Sequence, residues 1–364
     1  MNTADNSTSK RQFAFEGAVH LFSSPPAVLM PADIHPTRQN SHFMEILEAA
    51  NIYLVTLRRR IYLETTSLKR IGNTLAGIFL TPGPDAPQRT PFVWPIGGLA
   101  SDEYVETAHV MDSCTHIQIQ TNHRAFCVPA HIVLAQGQSD LPIEERDLQV
   151  AYVGQGQGRT KSRNAVERLA SHKTLQRIMA DLLTFEPHFE VLLLLYRFEH
   201  YGSVVSTGGD LTLDPIATAD EERDHLAQLR TAKLSRKTLV TLAEAALIRH
   251  FRPPYNQLIK NTSFESGKLK VLQTVLETGM SGLIVEAGSA SAGGRLHSEH
   301  APPTDLNEIF SADVLTGKNL KSESDRAEWA EELRLMAHTT LAQFPLASTE
   351  DRNNFLHGMR WNNP

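Results

Sequence analysis

Between Ala151 and Ala180 six cations, Arg159, Lys161, Arg163, Arg168, Lys173 and Arg177, accompany the single acid Glu167, in a chain whose formal charge is -6. A local patch of this sign attracts phosphates, and each phosphate it neutralises releases condensed counterions. The same composition also suits a solvated helix face. Within the patch, Arg168 and His172 are four residues apart, a spacing that puts both side chains on one face of a helix. Guanidinium grips phosphate oxygens in a permanently charged fork, and imidazole donates or exchanges a proton near neutral pH. Further along, Glu244 has Val240, Thr241, Leu247 and Ile248 within one helical turn. A carboxylate on such a half-apolar face costs free energy unless a cation, donors or protonation compensate it, which makes Glu244 a candidate Mg²⁺ ligand. The plainer reading is a boundary glutamate that reaches out to water.

The elements that must position these groups follow from the hydrophobic pattern. Leu148 to Gly154 reads as a short apolar strand, and Val166 to Leu183 as a helix with Val166, Leu169, Leu175, Ile178, Met179 and Leu182 on its period. Phe189 to Phe198 reads as a buried strand, and Leu239 to Phe251 as a helix stopped by Pro253-Pro254. Upstream, residues 1–38 are polar and carry four prolines, as in an arm with little regular structure. Leu47, Leu54, Leu57, Ile61 and Leu68 are spaced as in a helix; Thr115 to Gln120 and Ala125 to Ala135 read as strands. Downstream, Lys268 to Thr278 reads as a helix, Ala287 to Gly294 as a Gly/Ser/Ala linker, and Ser324 to His338 as a helix.

Taken in order, Tyr152-Val153-Gly154 on a strand, Arg168-Leu169-x-x-His172 on the next helix, Glu244 on a later helix and Pro254-Tyr255-Asn256 after it form a pattern. This resembles the GIY-YIG nuclease superfamily, and its restriction-endonuclease branch in particular, over roughly residues 126 to 262. The resemblance implies an α+β fold with a small central antiparallel sheet flanked by helices. It also implies an N-terminal α+β accessory domain over 1–125 for target recognition, a nuclease domain over 126–262 and a mostly helical extension over 263–364. It further implies a DNA endonuclease in which Glu244 holds Mg²⁺ or Mn²⁺, Tyr152, Arg168 and His172 are catalytic, and Asn256 joins the basic residues in binding nucleic acid. The family's first motif, Gly-Ile-Tyr, is not present as such on the preceding strand. Pro129-Ala130-His131 stands in for it, which would make His131 a base that activates water. That departure leaves a second reading open, a catalytically impaired module that binds nucleic acid or regulates.

Other classes fare less well. Gly154, Gly156 and Gly158 suggest a dinucleotide loop, but the last glycine is wrongly spaced and the next strand, whose end should carry an acid about 20 residues on, ends near Glu199. Cys114, His116, His123, Cys127 and His131 suggest zinc, but there is no CxxC pair and 16 histidines make chance clustering easy. With two cysteines no disulfide framework is expected. The longest strongly apolar run, Val191 to Tyr196, is too short to cross a membrane, and Met1 to Gln12 lacks a signal-like apolar stretch, so a cytoplasmic protein is expected. DNA is the expected partner, and a homodimer is compatible with it.

Overall fold

A computed structural model describes residues 11–83, 85–156, 164–207, 211–256, 270–347, 352 and 355. The architecture is mixed α+β with several sheets. Its central sheet has five strands in the order Leu296–His297, Leu148–Gln155, Ile52–Arg59, Phe189–Tyr196 and Ala27–Leu29. All neighbours are antiparallel except the short parallel pair at Leu148 and Gln149.

The helical reading of residues 43–70 is therefore corrected. Ser41–Leu47 is a helix, but Ile52–Arg59 is the middle strand of the central sheet. Ile52, Tyr53, Leu54 and Val55 are all fully buried, because both faces of this sheet are covered. A strand buried on both faces reads as an unbroken apolar run without period two, and a helix pattern can be fitted to it by accident. This strand, inside the expected N-terminal unit, pairs along its length with Leu148–Gln155 and Phe189–Tyr196.

One face of the central sheet is covered by the helices Ile34–Gln39, Ser41–Leu47, Ala165–Leu169 and Lys173–Phe185, which share a core with Tyr53, Val55, Ala151, Leu193 and Leu195. The other face packs on the helix Arg236–Phe251, which is buried on most sides between the central sheet and a second one. That second sheet runs Phe198–Ser206, Glu16–Ser23, Gly282–Gly288 and Thr339–Pro345. The expected N-terminal arm thus contains an inner strand, and the expected linker at 287–294 begins inside another. Two strands of the second sheet lie beyond residue 263, beside the helices Lys270–Leu276, Ala312–Leu315 and Glu323–Ala337. The helix Glu323–Ala337 does form, with none of its residues buried.

Between the strands at 52–59 and 148–155 the chain makes a separate β-rich unit with its own core, including Phe79, Phe92, Trp94, Ile117, Ile119 and Val133. Here Ala125–Pro129 is a strand, but the helix Ala130–Gln136 follows it directly. No helix among the described residues is long and apolar enough to cross a membrane.

Asn51 ties the start of the middle strand to the crossover between the two sheets. Its buried amide donates to the Phe198 carbonyl at 3.0 Å and accepts the Phe198 N–H at 3.0 Å. Asn51→Ala leaves two buried backbone groups unpaired and should cost about 2–4 kcal/mol, read from the urea midpoint.

Candidate functional site

At the Tyr53 end of the central sheet, the strands Ile52–Arg59 and Leu148–Gln155 place two tyrosines side by side. Gly154 lies opposite Tyr53 and Tyr152 opposite Val55, with a register shift between Val150 and Tyr152. A shift of this kind inserts an extra residue and re-aims the side chain that follows. Both Ala151 and Tyr152 consequently pack with the helix-covered face, along with Tyr53. Gly154 is required by contact: a Cβ there would come within 2.6 Å of both the ring and the hydroxyl of Tyr53.

His172 completes an aromatic triangle. Ring centroids are 6.2 Å apart for Tyr53 and Tyr152, 5.6 Å for Tyr53 and His172, and 5.0 Å for Tyr152 and His172. The single helix expected over 166–183 is interrupted here. Arg168 ends Ala165–Leu169, while His172 caps the start of Lys173–Phe185 and accepts the Leu175 N–H through Nδ1 at 3.2 Å. With Nδ1 accepting, the neutral ring carries its proton on Nε2, a donor. Burial and then the Arg168 charge depress the His172 pKa, which keeps the ring neutral. Glu167, the lone acid of the basic stretch, is used as a cap: Asn164 and Glu167 exchange side-chain-to-backbone hydrogen bonds at 2.9 and 3.3 Å.

Glu244 reaches the same place from the helix between the sheets. Burial raises its pKa to about 7, against the lowering effects of Arg168 and of a hydrogen bond from the Gln155 backbone. Arg168, itself exposed, acts electrostatically on Tyr53, Tyr152, His172 and Glu244. Burial also raises the pKa of both tyrosines, with Tyr53 the more deeply enclosed. The Tyr53 hydroxyl is shielded from solvent and, among the described residues, lacks a hydrogen-bond partner of acceptable geometry, although Tyr152 and Arg168 both act on it.

Two expected roles change. His131 lies in the helix Ala130–Gln136 of the β-rich unit, and burial beside Arg58 and His116 lowers its pKa to about 3. None of Tyr152, Arg168, His172 or Glu244 is among the groups acting on it, whereas Tyr53 does lie beside Tyr152. The available signal was Ile52-Tyr53 itself, hidden because a whole β-rich unit separates it from Tyr152. Asn256 is buried and spends its amide on the backbone: it accepts the Val153 N–H and donates to the Val153 carbonyl, both at 2.8 Å. It holds the Tyr152 strand and is not presented to a ligand.

Lys173 and Arg177 are exposed on the helix that starts at the site, whereas Arg159, Lys161 and Arg163 lie outside the described residues. Among the described residues no group of three or more His, Cys, Asp or Glu side chains is arranged to hold a metal ion. A cation here would have Glu244 as its protein anchor, with water and substrate oxygens as further ligands. No family model matches the chain, and no curated protein or solved structure matches it either.

Because the folded-state pKa of Glu244 is raised from 4.5 to about 7, its contribution to stability is fully present below 4.5 and is lost as pH rises to about 7. Without added metal, Glu244→Gln should therefore stabilise the protein at pH 8 by up to about 3 kcal/mol. The gain should vanish near pH 4 when unfolding is followed by denaturant titration.

Proposed function

We propose that the protein is a GIY-YIG-type endonuclease that hydrolyses DNA phosphodiester bonds with a divalent cation. The observation carrying this reading is the convergence of Tyr53, Tyr152, Arg168, His172 and Glu244, from four separate stretches of chain, at one end of an antiparallel sheet. The hairpin-like pairing of the two tyrosine strands and the flanking helices support the same arrangement.

The residues fit a hard cation. Glu244 is a partly desolvated carboxylate whose pKa near neutrality reflects charge that its surroundings do not fully compensate. Glu244 would hold Mg²⁺ or Mn²⁺, which would supply charge neutralisation to the reacting phosphate group. Arg168 grips a non-bridging oxygen and stabilises the charge that builds in the transition state. The Nε2–H of His172 donates to the phosphate or to the attacking water. Tyr152, the more open of the two phenols, hydrogen-bonds and orients that water, whose proton passes to bulk solvent, and Tyr53 packs against it from behind. The binding-only alternative starts from the missing first tyrosine; the position of Tyr53 beside Tyr152 supports the catalytic reading over it.

Supercoiled plasmid should be nicked or cut in Mg²⁺ or Mn²⁺. Glu244→Gln should abolish cutting while DNA binding stays within a few-fold, and Arg168→Ala should slow turnover by about 100-fold or more. Failure of the wild-type protein to cut with either metal, or cutting by Glu244→Gln, overturns the reading.

At subsaturating Mg²⁺ the rate should climb about tenfold per pH unit below about 7, where Glu244 is protonated, and flatten above it. Raising the metal concentration should move the midpoint to lower pH, because binding displaces the proton. A midpoint independent of metal concentration would assign the titration to another group.

A further inference from the structure

Four residues beyond Lys173, Arg177 lies on the same helix, about 6 Å further along its axis. Unlike Lys173, which has no ion pair among the described residues, Arg177 sits in a cradle. The Tyr255 hydroxyl donates to Asp181 Oδ2 at 2.8 Å. Arg177 Nε lies 3.7 Å from that same oxygen, and its guanidinium carbon is 5.7 Å from the centre of the Tyr255 ring. Tyr255 in turn donates its backbone N–H to the Ala151 carbonyl at 3.2 Å, immediately before Tyr152, and its neighbour Asn256 grips Val153. The guanidinium is thus referenced to the Tyr152 strand as well as to its own helix.

We infer that Tyr255 and Asp181 are positioning residues that hold Arg177 as a preset contact for the phosphodiester backbone of DNA beside the cleaved bond. The inference rests on the nuclease reading and adds to it the path of the strand, which runs along the exposed face of Lys173–Phe185 from Lys173 to Arg177. Three features favour this over an ordinary surface ion pair. The Arg177 side chain is 66% exposed although two groups hold it. The carboxylate it faces is already engaged by the phenol, so it orients the guanidinium without closing a tight bridge on it. Finally, an arginine ordered before binding loses less conformational entropy when a phosphate arrives.

The test uses the full-length Glu244→Gln protein, a short DNA duplex and a KCl series without divalent metal. Losing one phosphate contact lowers the slope of log affinity against log salt by about 1. Arg177→Gln should do this and weaken binding about tenfold at low salt. Tyr255→Phe keeps the ring but frees Asp181 to capture Arg177, so it should lower the slope in the same direction. Adding Asp181→Asn to Tyr255→Phe should restore most of it. A purely structural cradle would alter thermal stability and leave every slope unchanged, which overturns the inference while the nuclease reading stands. If the Glu244→Gln protein binds no DNA with Arg177 intact, the nuclease reading fails and takes this inference with it.

Discussion

Everything at the candidate site depends on the pairing of Ile52–Arg59 with Leu148–Gln155. Their hydrogen bonds bring together two tyrosines that the chain separates by an entire β-rich unit. The register decides more than proximity. One extra residue before Tyr152 turns its ring to the Tyr53 face, and a one-residue slip of that strand would send the Tyr152 phenol toward the opposite core. Gly154 lets the Tyr53 ring lie against the backbone, while Asn256 supplies the pairing that the outer side of the Tyr152 strand lacks at Val153. The ring geometry is therefore set by backbone contacts on both sides of one strand.

Glu244 pursues the opposite economy. Its helix is held between two sheets by Leu242, Ala243, Ala246, Leu247 and Phe251, all fully buried, so the carboxylate cannot swing freely into water. Rigid placement comes with desolvation, visible as a pKa near 7 despite a neighbouring arginine and a backbone donor. A surface glutamate would cost less to fold but would be less firmly placed and in a wetter setting. The four-stranded second sheet, far from the tyrosines in sequence, matters to the site because it encloses this helix. His172 shows the same logic on a smaller scale: the cap it makes on Leu175 fixes which ring nitrogen remains a donor.

The local motifs were legible without coordinates. Tyr152-Val153-Gly154 does lie on a strand, Arg168 and His172 do come together, and Glu244 does lie on an apolar helix. Even so, Arg168 and His172 meet across a break between two helices, because the imidazole serves the second helix as a cap. His131 and Asn256 have residue types suited to the expected roles, yet one is packed in another core and the other is consumed by backbone hydrogen bonds. Residue type records what a side chain can do; its partners decide what remains available.

By itself the amino-acid sequence determined which stretches are apolar enough to form the Tyr152 strand and the Glu244 helix, and which carry cations near them. These are properties of neighbours along the chain, where periodicity and stop signals operate. Only the tertiary structure decided that Ile52–Arg59 is the partner strand, that Glu16–Ser23 belongs to a sheet, and that Tyr53 is the second phenol. Strand pairing joins segments at any separation, and a strand buried on both faces loses the alternation that would announce it, so neither its partner nor its register is written in the residues nearby.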